Sequence, residues 1–493
     1  MRKKIFKFNN SYSKLPNIFY KKVLPQPVKK PKLIEINEEL AKYLGVDSTN
    51  LSNEDYNLIF SGNKIPRGAS PIALAYAGHQ FGQFVPSLGD GRAILLGELI
   101  AKNGKRFDMQ LKGSGKTFFS RNGDGRAPLG PVIREYIVSE ALYYLKIPTT
   151  RVLAVSKTGE FLQRDTLVPG GILTRIASSH IRIGTFEYFA NKNDLNSIKI
   201  LSNYAIKRHF PSIEKSKNKY ALLLKKVMIL QAKLIAKWMN VGFIHGVMNT
   251  DNTSISGETI DFGPCAFMDH FENTRVFSYI DQFGRYSYGN QSKIILWNLS
   301  RFAECIIPLI NNDLKKATAK VIEILEKFSE EFNKLYFEGM RKKIGLKKIL
   351  KNDNKLIIEF LNILQKEKID FTIAFRRLSQ DLRKKDFEKN ILSLSKEKKN
   401  LKKWILKWKE RILLENNSPN LISREMIQNN PIYIARNHLV EKAINSILEN
   451  DDFSVMRKML SLLKKPFKEI KSEKEFSLPP NPQQIVVNTF CGT

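Results

Sequence analysis

Residues 245–263 read His-Gly-Val-Met-Asn-Thr-Asp-Asn-Thr-Ser-Ile-Ser-Gly-Glu-Thr-Ile-Asp-Phe-Gly. The run closes on Asp-Phe-Gly, with Asn252 nine residues ahead of Asp261. A carboxamide and a carboxylate supply the oxygen ligands that a hard cation such as Mg²⁺ takes alongside phosphate oxygens. Between them, the turn at Ser256, Gly257 and Glu258 separates two β-branched runs. That pattern predicts a short hairpin bringing both oxygen ligands to one point. Asp-Phe-Gly alone is a weak signal. The series His-Gly, Asp-Asn, Asp-Phe-Gly is stronger, and stands against a buried polar turn after a helix.

Protein kinases hold metal with such an Asn and Asp, and place a proton-accepting Asp five residues before the Asn. Here that position is Val247, and valine can neither take a proton nor orient a hydroxyl. Asp251, beside Asn252, offers a displaced carboxylate. The stretch keeps the metal ligands and lacks the usual base.

The chain has 493 residues, 42% of them hydrophobic, enough for one large two-lobed unit or two to three smaller ones. Lys and Arg number 81 against 48 Asp and Glu, a net charge of +33. Such an excess suits nucleic acid or an acidic surface. The lysines are dispersed, however, and Ile and Asn are also abundant, as compositional bias produces without a polyanion partner. Neither zinc-finger spacing nor an aromatic RNA-binding motif is present, which argues against a nucleic-acid partner. The three cysteines, Cys265, Cys305 and Cys491, are too few for a disulfide scaffold and point to a reducing compartment. The basic N-terminus lacks the apolar core of a secretory signal, and no run of 18 apolar residues spans a membrane.

Outward from the quoted stretch, residues 34–44 have helical spacing that ends near Gly45. Residues 76–99 read as loop, glycine turn and, over the apolar run 94–99, strand; Gly89 and Gly91 would let backbone N–H groups approach phosphate, with Arg92 adding charge, or form a plain hairpin turn. Phe107, Met109 and Leu111 alternate toward Lys112, placing that lysine at a strand end, facing a cleft or solvent. A polar loop with Asp124 and Gly125 follows, then a helix from Pro131 to about Leu145. Its Glu135 is a partner for Lys112 or a capping carboxylate. Arg175 and Arg182 would face opposite sides of one extended stretch; a bend would turn both bidentate forks to one anion. Residues 220–239 form an amphipathic helix delivering the chain to Gly242 and His245, and the remainder is mostly helical.

These motifs together resemble the selenoprotein O family, kinase-fold proteins that look like pseudokinases yet adenylylate proteins. The resemblance covers nearly the whole chain: residues 8–16, 77–82, 88–93, 110–115, 120–127, 133–136, 174–187, 245–252, 340–346, 430–431, 436–438 and Cys491. It implies an α+β, protein-kinase-like two-lobed fold with an N-terminal extension and a large, mostly helical C-lobe. The expected divisions are 1–60 for the extension, 61–165 for the N-lobe, 166–470 for the C-lobe and 471–493 for the tail. It also implies ATP as co-substrate, Mg²⁺ or Mn²⁺ as cofactor, and protein Ser, Thr or Tyr hydroxyls as acceptors.

On residues, the resemblance implies Lys112 at the nucleotide, paired with Glu135. Gly89, Gly91, Arg92, Asp124 and Gly125 would line its pocket, and Arg175 and Arg182 would hold phosphate. Asn252 and Asp261 would ligate metal, with Asp261 also beside ATP, and Asp251 would accept the proton. ATP lies inverted in this family, which accounts for Val247. Some members pair a tail cysteine, here Cys491, with one in the segment after Asp-Phe-Gly, where this chain has Cys265. The first family motif begins by Phe8, leaving no room for a mitochondrial transit peptide, so the expected setting is bacterial cytoplasm. A conventional phosphotransferase, an inert nucleotide-binding scaffold and a basic nucleic-acid binder are the competing readings.

Overall fold

The computed structural model describes residues 5–46, 52–380 and 386–489. Among these residues the chain is a mixed α+β fold whose sheet lies in the N-terminal part, with helices dominating from residue 183 onward. The strands are β1 (Tyr20–Lys22), β2 (Lys32–Ile36), β3 (Ile72–Leu74), β4 (Gly78–Gln80), β5 (Gln83–Val85), β6 (Ala93–Ile100), β7 (Arg106–Lys112), β8 (Ala127–Pro128), β9 (Arg151–Gln163) and β10 (Leu167–Ala177). Eight of them form one sheet in the order β1-β3-β6-β7-β10-β9-β2, with β8 added beside β10; β4 and β5 form a separate hairpin. The division expected at 165/166 falls in the turn between β9 and β10, which are paired strands of this sheet.

Helical spacing over 34–44 is only partly realised. Residues 32–36 pair antiparallel with β9, and the helix α1 (Glu38–Leu44) starts after Asn37, whose side chain accepts from Leu40 N. Leu33, Ile34 and Ile36 gained a sheet edge, so tertiary pairing overrode the local period. Helix α2 (Asn53–Phe60) follows, and then α3 (Leu129–Tyr144), which lies across β9 and β10. Helix α3 is buried on nearly every face, because the helix Asn437–Asn450 covers its other side. Its buried charges are paired: Arg134 with Glu441, and Glu140 with Arg151 at 2.5 Å.

Helices α4 (Ile183–Ala190), α5 (Leu195–His209) and α6 (Lys219–Asn240) come next. The amphipathic α6 packs on α7 (Gln291–Ile310) and α8 (Leu314–Lys343). It stops at Gly242, whose φ of +72° suits glycine, and the chain enters β11 (Phe243–Ile244). This strand pairs antiparallel with β12 (Ala266–Phe267). The pair closes the base of the 245–265 loop, holding its two ends together. The hairpin expected around Gly257 does not form. Gly257 does make a tight turn, its N–H on Ser254 O at 3.2 Å. The flanking runs pair elsewhere, however: Ser254 with Arg182 and Thr259 with Thr149.

Candidate active site

Strand register positions the charged centre. Lys112 ends β7, and Arg175 lies on the adjacent β10 opposite Gln110. Glu135 projects from the second turn of α3. Lys112 Nζ donates to Glu135 Oε2 at 2.7 Å and to Asp261 Oδ1 at 3.0 Å. Arg175 Nε donates to Glu135 Oε1 at 2.8 Å, and its Nη2 to Asp261 Oδ1 at 2.6 Å. Arg182 Nη1 donates to Asp261 Oδ2 at 2.7 Å and to Asp251 O at 2.6 Å. Three cations thus meet two carboxylates, and both arginines are almost wholly buried, at 1% and 3% exposure. Burial alone would raise the Asp261 pKa; Arg175, then Lys112 and Arg182, instead hold it well below the usual range. Asp261 sits at φ +63°, a left-handed conformation that aspartate tolerates better than most residues.

The bend required between Arg175 and Arg182 is built by polar contacts. Glu258 accepts from Ser178 N and Oγ at 2.9 and 2.8 Å. Asp108 accepts from His180 N at 2.9 Å and from Arg208 at 2.6 Å. Both forks therefore turn to one anion, which in this structure is Asp261.

Asp251 lies in a short 3₁₀ turn, Thr250–Asn252. Its Oδ2 accepts from Gln80 Nε2 at 3.2 Å, and its buried Oδ1 has no donor among the described residues. Burial pushes its pKa up to about 7, against the opposing Gln80 hydrogen bond and Arg182 charge. A carboxylate near neutral pKa is suited to general-base work. Asn252 donates Nδ2 to Val247 O at 3.0 Å, which leaves its Oδ1 as an acceptor. A cavity of about 330 Å³ joins Lys112, Glu135, Arg175, Arg182, Asp251, Asn252 and Asp261.

A second cavity of about 610 Å³ shares Tyr76, Gln80, Gly91, Arg92 and Asp251 with the first, and continues past Gly89, Asp124 and Gly125. The two form one cleft. The glycines do not present free N–H groups as the Gly-x-Gly spacing predicts: Gly89 N donates to Tyr76 O and Gly91 N to Gly89 O. Gly89 is needed because the Phe119 ring lies 2.1 Å from where a Cβ would stand; a Cβ at Gly125 would fall 2.1 Å from Gly115 C. Asp124 is held by Arg164 at 2.9 and 3.0 Å.

Sequence reasoning missed Gln80 and Tyr76, although both lie in a quoted loop. Tyr76 stacks on the Arg182 guanidinium, 4.7 Å from the ring centroid. The β4–β5 hairpin is anchored by His79, which bonds Glu187 at 2.6 Å, and by His79 N on Thr250 Oγ1 at 2.7 Å. Cys265 is buried just beyond the site; Cys491 lies outside the described residues.

An excess of cations around a carboxylate, a neighbouring carboxamide oxygen and a buried carboxylate whose pKa burial pushes up to about 7 are groups suited to phosphate-transfer chemistry. A family model described as Protein adenylyltransferase SelO matches residues 3–464. Proteins named Protein nucleotidyltransferase YdiU are similar over 99% of both chains: 50% identical over 491 residues in Maridesulfovibrio salexigens. Those of Rhodopseudomonas palustris strain BisB18, over 99% of both chains, and Bradyrhizobium diazoefficiens, over 99% of both chains, are each 49% identical. The chain belongs to the SelO family of protein adenylyltransferases.

Proposed function

We propose that this cleft binds ATP inverted relative to a kinase and transfers its AMP to a protein Ser, Thr or Tyr hydroxyl. The observation that carries the reading is Asp251: a buried carboxylate with a pKa near 7 opens onto the cleft, while position 247 is a valine. In the transfer, the acceptor oxygen forms a bond to the α-phosphorus. The bond from that phosphorus to the α,β-bridging oxygen breaks, and pyrophosphate leaves with the electron pair. Asp251 takes the hydroxyl proton. Arg175, Arg182 and Lys112 supply fixed positive charge where the departing phosphates gain negative charge.

Asn252 and Asp261 would hold Mg²⁺ or Mn²⁺. Their hard oxygen atoms, with the undonated Asp251 Oδ1 nearby, fit such an ion. When bound, the ion supplies charge neutralisation on the phosphates. Were Asp261 to hold the ion, the Arg175 and Arg182 forks would be available to phosphate oxygens. Arg92, Asp124, Gly89, Gly91 and Gly125 would shape the remainder of the nucleotide pocket.

The architecture is read as kinase-like and two-lobed, supported by the strand-end Lys112 paired with the helical Glu135 above Asp261. Its parts are 1–60, 61–165, 166–470 and 471–493, with the β9–β10 hairpin tying the second to the third. The tail supports a redox link: Thr489 Oγ1 donates to Pro264 O at 2.7 Å, next to Cys265, and Cys491 follows two residues later. With three cysteines in 493 residues, the setting is read as bacterial cytoplasm. No helix among the described residues is long and apolar enough to cross a membrane.

The test is Asp251→Asn assayed for both binding and turnover. ATP affinity should stay near wild type while transfer falls by roughly 10²–10⁴-fold, the range for a general base. A near-wild-type rate would remove Asp251 from the reaction.

A further inference from the structure

Two stretches singled out in the sequence, 340–346 and 430–431, play no part in the nucleotide cleft. They meet at a different cavity. Asn430 is fully buried and donates Nδ2 to Lys343 O at 2.7 Å. Lys343 and Pro431 both line a cavity of about 550 Å³ that shares no residue with the cleft. Its walls are the C-terminal ends of α6 and α8 and the turn after α3.

This cavity is lined by five lysines, Lys146, Lys233, Lys237, Lys342 and Lys343, against one carboxylate, Glu338. Glu338 is taken by Lys342 in an ion pair one helical turn away. Lys343 is only 3% exposed and has no ion-pair partner among the described residues. Its ammonium lies 4.3 Å from the Phe375 ring centroid and 5.3 Å from that of Phe371. Burying an ammonium without a counter-charge is unfavourable, and ring faces compensate only in part.

The lysines also crowd one another. Lys237 donates to Lys146 O rather than to a carboxylate, and burial, then Lys233, Lys146 and Lys342, lower its pKa. Lys146, Lys233 and Lys342 are exposed, and the repulsion among these like charges is a cost that an entering anion would offset. The cavity also holds an amide: Asn240 Oδ1 is buried with no donor among the described residues. Gly339 makes room for that amide, since a Cβ there would fall 2.1 Å from Asn240 Nδ2.

We infer that this cavity is a second ligand site, separate from the nucleotide cleft, that binds a small phosphorylated molecule through its lysines. The cavity volume fits a small ligand rather than a chain lying along a surface. The ligand's phosphates would face the ammonium groups.

The experiment titrates inorganic triphosphate calorimetrically into the full chain with no nucleotide present, since a nucleotide added to block the cleft would itself enter a phosphate-binding cavity; the cavity variants separate the cavity's uptake from the cleft's. A site at the cavity is expected. Lys237→Ala and Lys233→Glu should each weaken it by about tenfold or more, the worth of a charge-assisted hydrogen bond. Lys351→Glu, exposed and outside the cavity, should leave it unchanged. Circular dichroism and an unchanged transfer rate would show the variants folded; Lys233 is exposed, so its variant keeps the test valid should Lys237→Ala fail to fold. Absence of triphosphate binding to the wild type would overturn the inference. So would equal weakening by Lys351→Glu, or affinity unchanged in the two cavity variants. A single-stranded oligonucleotide that displaces triphosphate and binds more tightly would overturn it in favour of a nucleic-acid surface.

Discussion

Asp261 concentrates the site's electrostatics, since Lys112, Arg175 and Arg182 all end on its two oxygens. Asp261→Ala should therefore abolish metal-dependent ATP binding in calorimetry, and leave Lys112 and Arg175 with Glu135 as their remaining ion-pair partner among the described residues. Retained metal-dependent affinity would reassign the metal ligand. A second residue-scale prediction concerns Lys343, whose pKa burial lowers from 10.5 to about 7. Between those values the unfolded chain keeps the proton that the folded chain has lost, so stability rises with pH across that window. Below about 7 both states are charged and the burial penalty is complete. Lys343→Met should remove this slope and raise stability at neutral pH by on the order of a few kcal/mol. Urea melts at a series of pH values measure it, and the charged residues that line the same cavity, namely Lys146, Lys233, Lys237, Lys342 and Glu338, are unchanged between the two proteins. Residues 245–263 were legible because their chemistry is contiguous. Gln80 was not, because its partner Asp251 lies 171 residues away.

Among the elements, the β4–β5 hairpin fixes where Asp251 stands. A Cβ at Gly78 would fall 2.4 Å from Asp251 Oδ1. Gly78→Ala must therefore push the carboxylate away, and turnover should drop by roughly 10²-fold with ATP affinity little changed. Parallel rate and binding measurements check this; a wild-type rate would mean that the carboxylate tolerates the shift. The tail segment ending at Thr489 runs beside residues 277–279. Under mild oxidant, peptide mass spectrometry should find Cys265 joined to Cys491, and absence of that peptide would remove the redox link. Secondary structure was readable where the apolar period was long, as in α6. It failed where pairing came from afar: β2 on β9, and Ser254 on Arg182.

Across the whole molecule, sheet and helices meet at one cleft, and the described part of the N-terminal segment is part of that assembly. Gln26 N donates to Ser114 O at 2.8 Å, and Arg126 reaches Gln26 O and Pro27 O at 3.1 and 3.0 Å. Composition could not reveal this, because such contacts depend on folded geometry. The central claim, that the α-phosphate rather than the γ-phosphate stays on protein, belongs to this scale, since it depends on how the entire cleft orients ATP. The most direct measurement incubates the protein and an acceptor with ATP labelled at the α or the γ position, with Mg²⁺ or Mn²⁺ present. Label retained on protein from α-labelled ATP alone is the expected result. Label retained only from γ-labelled ATP would contradict the account and make the cleft that of a kinase.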